Sequence, residues 1–182
     1  NTTVAEQAQW LGRVVQLARG SGRIRLIIVW NMDFTAYGAD PAAGYAIIRP
    51  GGSCPAGFAI IDIMEWSRLP VYTTGIGMIA SMALLVFMTG HKGRRVITPR
   101  TSILSHRYSA MTLGNHSQLL ANRKEQDLEH QRIVDHYLCY SNIKTREELE
   151  INLLRDVDTW LTPEEAVKYG LADIVEPARK KA

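Results

Sequence analysis

Thr73–Gly90 reads TTGIGMIASMALLVFMTG, and from Ile76 to Met88 it is apolar apart from Gly77 and Ser81. The run is shorter than the ~20 residues a bilayer-spanning helix needs, so it predicts a buried helix. Just ahead of it, Val71–Thr74 has the character of a buried strand, and Gly75 and Gly77 mark a turn, which places the start of the helix near Ser81. A buried serine commonly bonds back to a helix carbonyl. A serine on a turn between a strand and a helix is also where a nucleophile can be held up to a substrate. At this residue alone both readings stand.

Working outward, strands and helices alternate. Thr3–Glu6 has the form of a capping box, followed by a helix to about Ala18 with Trp10 and Val14 on one face and Gly20-Ser-Gly22 ending it. Arg25–Trp30 reads as a strand, Asn31–Gly44 as an irregular loop, and Tyr45–Ile48 as a short strand stopped by Pro50-Gly-Gly-Ser53. Apolar residues recur at helical spacing from Pro55 to Trp66, so Gly51-Gly52 falls before a helix N-terminus, where backbone N–H groups are free.

Beyond the opening stretch, Arg95–Thr98 and Ile103–His106 predict strands around a turn at Pro99–Ser102. Ser117–Tyr140 contains neither Gly nor Pro and predicts a long amphipathic helix. Thr145–Glu148 and Thr162–Glu165 are two further capping boxes, the second with Pro163 at the first helical position. Gly170 closes the last helix before a strand at Leu171–Val175. The alternation predicts a layered α/β protein, and 182 residues fit one domain spanning 1–182.

Composition narrows the function class. Apolar residues make up 46% and charged residues 21% of the chain, with a net charge of +3, so nothing marks it for nucleic acid. Cys54 and Cys139 lie far apart without metal-ligand spacing or a disulfide framework, so no metal site is expected. No basic-then-apolar signal opens the chain and no membrane partner is implied. No phosphate-cradling Gly-x-x-x-x-Gly-Lys-Ser/Thr motif occurs either.

Four segments, in order, resemble the caseinolytic ClpP-type serine peptidases. They are Pro50-Gly-Gly-Ser53 with Ala56-Gly57; Gly77-Met-Ile-Ala-Ser81-Met82-Ala; His106 at a strand end; and the tail Asp158-Thr-Trp-Leu-Thr-Pro-Glu-Glu-Ala-Val-Lys-Tyr-Gly-Leu-Ala-Asp173. The resemblance covers roughly Gly44 to Val175. It implies the layered fold of the ClpP and crotonase type with a protruding strand-helix handle over about 105–140. It also implies a Ser81–His106–Asp158 triad, with the backbone N–H groups of Gly52 and Met82 as the oxyanion hole. A serine hydroxyl needs a base to take its proton, and the base needs a carboxylate to fix its tautomer. Asp156 stands as the alternative acid, although the tail aligns only with Asp158.

The same resemblance implies an endopeptidase acting on unfolded polypeptides inside stacked, heptameric rings in the cytoplasm or an organelle matrix or stroma. A partner AAA+ unfoldase would supply the ATP chemistry, with no cofactor in this chain. Leu119, Leu120, Leu128, Ile133 and Leu138 on the handle would be covered by ring stacking. The sequence departs from the family at Arg107-Tyr108 after the histidine, at Arg49, and at Ile79 and Ala83 beside the serine; Asn31–Gly44 has the look of an insertion. The family's axial segment, which gates the pore, has no counterpart ahead of the first helix. Two rivals remain: a non-catalytic ring subunit, and a crotonase-type acyl-CoA enzyme. The second is disfavoured because no Asp or Glu lies between Glu65 and Glu125.

Overall fold

The computed structural model describes residues 13, 55–109 and 112–177. The helix, strands, loop and glycine turn expected between Thr3 and Ser53 lie outside the described residues, apart from Arg13, which is helical. In chain order the elements are α1 (Pro55–Trp66), β1 (Thr73–Gly75), β2 (Met78–Ala80), α2 (Met82–Met88), β3 (Arg95–Ile97), β4 (Ser102–Ser105), α3 (His116–Tyr140), α4 (Arg146–Asn152), β5 (Thr159–Leu161), α5 (Pro163–Lys168) and β6 (Ile174–Val175). The expected mixture of α and β is present.

The opening stretch has the expected strand and a helix beginning beside Ser81, but a second strand, β2, occupies the apolar residues between them. Its first part is divided between two strands, β1 and β2, and only Met82–Met88 is helical. The reason is Gly77, whose φ of 78° turns the chain where a side chain would be strained. The turn hands the chain from one sheet to the other. β1 lies parallel to β3, and β3 to β6, while β2 lies parallel to β4, and β4 runs antiparallel to β5. The Pro99 turn makes the same transfer from β3 to β4, with the Thr101 N–H donating to Thr98 O at 3.0 Å. Two neighbouring passes of chain therefore contribute a short strand each to both sheets.

α2 buries Met82, Leu84, Leu85, Phe87 and Met88, and so is apolar around most of its girth. It packs against α1, α3 and both sheets. Around it lie Ile97, Ile103, Leu149, Leu153, Leu154 and Leu171, all inaccessible to solvent or nearly so. No helix among the described residues is long and apolar enough to cross a membrane.

α3 changes character along its length. His116–Glu125 is exposed, whereas Glu129, Ile133, Val134, His136 and Tyr137 are buried. Asn115 caps the helix and exchanges bonds with Gln118, a capping box that sets the start just before the expected Ser117. His136 is buried in the docked half, with Nε2 at 2.9 Å from Leu85 O, and burial lowers its pKa below the ordinary value. Two expectations change here. Ile133 belongs to the core and Leu138 is half-buried, so the exposed apolar residues of this helix are Leu119, Leu120 and Leu128. The expected strand after His106 is also absent from 106–109 and 112–115, where no described strand lies alongside to pair with it.

At the other end, Thr162–Glu165 forms its complete capping box. At Thr145 the hydroxyl caps Glu148 N–H, but the Glu148 carboxylate accepts from Lys144 N–H instead. The last strand shortens to Ile174–Val175, since the Leu171 and Ala172 N–H groups turn back to Ala166 O; Asp173 lies just ahead of the strand. Its carboxylate takes Arg95 Nε–H at 2.9 Å and Nη2–H at 2.6 Å, together with the Gly93 and Arg95 N–H groups. Arg95, only 2% exposed, also donates to Tyr140 O. This fork ties β3 to the end of α3 and to the residue just before β6.

Candidate active site

Ser81 sits between Ala80, the last residue of β2, and Met82, the first of α2. Its φ of 56° and ψ of −129° make it the one non-glycine residue of positive φ among those described. A side chain in that region costs about 1–3 kcal/mol and persists only where the surroundings impose it. They do so here: Ser81 N–H donates to Leu104 O at 3.2 Å, and Ser81 O accepts from Leu84 N–H at 2.9 Å. The turn from strand to helix is thus fixed on both sides of one residue. The hydroxyl makes no capping bond to the helix. A spectator serine would normally use its hydroxyl locally, and this one does not.

Sheet register decides what lies beside it. Ala80 pairs with Leu104, so Ser81 continues β2 alongside the end of β4, where His106 follows Ser105. β4 and β5 are antiparallel, their last pair being Ser105 opposite Thr159, and His106 and Asp158 are the next residues beyond it on the two segments. Ser81, His106 and Asp158 therefore emerge at one end of the sheet β2-β4-β5. Ser81 and His106 are half-buried, and Asp158 is exposed. Among the described residues no hydrogen bond joins the three side chains. The backbone brings them to a common edge, and the side chains are not closed on one another.

Asp156 lies two residues short of that register, and its Oδ1 is 3.0 Å from Arg107 Nη1. Of the expected oxyanion donors, Gly52 is outside the described residues. Met82 heads α2, so its N–H has no acceptor within the helix. Its side chain is buried against α1, and a Cβ added at Gly57 would overlap it, so only glycine allows this approach.

Several supporting residues escaped the sequence reading. Ser105 is fully buried; its hydroxyl donates to Leu153 O at 2.9 Å and shares a 2.7 Å bond with Tyr137 of α3. Burial pushes the Tyr137 hydroxyl up to about 12, against the opposing effect of the Ser105 bond. Arg107 Nε–H donates to Leu154 O at 2.6 Å. The one available signal was the alternation along the expected strand Ile103–His106, which turns Ser105 away from the face of His106. The partners of Ser105 and Arg107, over forty residues further along the chain, could not be read from it.

The arrangement can be compared with known proteins. A family model described as Clp protease matches residues 45–179. The chain is 38% identical over 128 residues to the ATP-dependent Clp protease proteolytic subunit of Deinococcus radiodurans, covering 69% of this chain and 60% of that protein. It is 34% identical over 134 residues to proteolytic subunit 2 of Treponema denticola, covering 74% and 66%. With proteolytic subunit 1 of Frankia casuarinae it shares 29% identity over 183 residues, 99% of this chain and 82% of the relative. The chain thus spans less than two thirds of the length of the first two. The family match takes in every element from α1 to β6, including the β2–α2 turn and the sheet edge beside it, and on that ground the chain belongs to the Clp protease family.

Proposed function

We propose that the protein is a serine endopeptidase in which Ser81 is the nucleophile, His106 its base and Asp158 the acid that orients the base. The observation that carries this reading is the strained Ser81 backbone at the β2–α2 junction, with register leading His106 and Asp158 to the same sheet edge. The Ser81 oxygen attacks the peptide carbonyl carbon while His106 accepts the hydroxyl proton. Collapse of the tetrahedral adduct breaks the C–N bond, and the proton passes to the departing amine. Water then enters by the same base catalysis and releases the acid, leaving Ser81 as it began. The backbone N–H groups of Met82 and Gly52 serve as the oxyanion donors, Gly52 on the ground of the family resemblance. The cleft works on unfolded polypeptide within stacked rings, heptameric by family resemblance. An AAA+ unfoldase feeds it and supplies the ATP-driven work, and the assembly operates in the cytoplasm or an organelle matrix or stroma.

The exposed half of α3, with Leu119, Leu120 and Leu128, supports the assembly part of this reading, since apolar area of that kind favours association. Among the described residues no strand lies beside the segment after His106, and a neighbouring copy could supply one. Ring formation would then order the residues next to His106 and close the triad. The open state of the three side chains favours one second reading, a ring subunit that does no chemistry. A fluorophosphonate probe separates the two: we expect it to acylate Ser81 in the assembled protein and to leave Ser81→Ala unlabelled but folded. An assembled, unlabelled wild type would favour the non-catalytic subunit.

A further inference from the structure

The residues on either side of His106 reach the same short loop. Ser105 Oγ donates to Leu153 O at 2.9 Å, and Arg107 Nε–H donates to Leu154 O at 2.6 Å. Arg107 makes a second contact, Nη1 to Asp156 Oδ1 at 3.0 Å. The loop so held runs from α4 into β5 and ends at Asp158, just beyond the Ser105–Thr159 pair that precedes His106. Ser105 is sealed in the core and fixes the start of the loop. Arg107 grips the part nearer Asp158, on two acceptors with a planar fork that cannot slide without losing one of them.

We propose that Arg107 is a positioning residue that holds the Leu154–Asp156 loop against the end of β4 and so keeps Asp158 in register with His106. The inference rests on the triad reading above and extends it to a side chain that touches neither substrate nor Ser81. An exposed ion pair contributes little stability, and the Arg107 and Asp156 side chains are 44% and 89% exposed. The value of the contact is therefore geometric. Its loss should appear in turnover, because a small displacement of an orienting carboxylate weakens the base only when the base is charged in the transition state.

The test compares Arg107→Gln, Arg107→Lys and Asp156→Asn in the assembled protein, reading kcat, KM and the rate of Ser81 acylation. Arg146→Gln, which removes an exposed arginine paired with Glu150 on α4, is the control. In Arg107→Gln, kcat and the acylation rate are expected to fall roughly 10- to 100-fold with KM changed less than about threefold. Arg107→Lys should recover part of the loss, and Asp156→Asn should lose a few-fold on the order of one arm of the fork. The control should match wild type. Wild-type kcat in Arg107→Gln, or a loss confined to KM, overturns the proposal. Should Arg107→Gln fail to fold, the exposed Asp156→Asn decides: unaltered kcat there overturns it. Failure of the wild type itself to acylate at Ser81 overturns the triad reading instead.

Discussion

At the scale of single residues, Ser81 combines a reactive side chain with a backbone conformation that suits glycine. Ser81→Gly removes the strain and the hydroxyl together, and is expected to raise stability by about 1 kcal/mol while abolishing hydrolysis. Chemical denaturation beside a peptidase assay checks both halves; a destabilised variant would show that the positive φ carries no strain. The carboxylates are distinguished in the same way. His106→Ala should lower the rate by ~10³ or more, Asp158→Asn by a comparable or smaller factor, and Asp156→Asn by far less. A larger loss at Asp156 than at Asp158 would shift the assignment by two residues. The proposed assignment takes Asp158 because it adjoins Thr159, the partner of Ser105, while Asp156 is engaged by Arg107.

At the scale of elements, the Arg95–Asp173 fork joins what the chain separates by 78 residues. Burial alone would raise the Asp173 carboxyl, but the hydrogen bonds and charge of Arg95, with the Gly93 N–H, hold it near about 2 against an ordinary 3.8. A carboxyl depressed by folding stabilises the folded state above its unfolded value. That stabilisation should therefore be intact above pH 3.8 and disappear as pH falls towards about 2. Asp173→Asn, measured by urea unfolding across that range, should lose stability at neutral pH and show a flatter acid limb. Asp173→Ala leaves Arg95 buried without its acid and should cost about 3 kcal/mol or more at neutral pH. An unchanged acid limb in the Asn variant would remove Asp173 as its source. His136 acts in the same direction at higher pH. Its lowered pKa means that protonation favours the unfolded chain once pH drops below the ordinary 6.5.

At the scale of the whole molecule, the apolar residues left outside the core set the expectation for assembly. Leu120→Glu with Leu128→Glu places charge on the exposed part of α3 and should shift the protein to smaller species in sedimentation, with hydrolysis lost in parallel. Ile133→Glu would not serve, because Ile133 is in the core and its replacement would unfold the helix rather than part the rings. A small species with full activity would separate catalysis from assembly. The sequence by itself determined the α/β class, the long helix and the capping box at Thr162, because these depend on period and local bonding, while it suggested the triad only through resemblance to a family. It placed Ser81 at a helix start but not β2, since three strand residues next to a helix have no period of their own to display. It could not assign Ile133 to the core, the Arg95–Asp173 fork to β3, or Ser105 and Arg107 to the loop before Asp158. Those depend on which distant segment packs alongside. Only the tertiary structure decided them, because burial and long-range hydrogen bonds belong to pairs of segments and no single stretch of chain carries both partners.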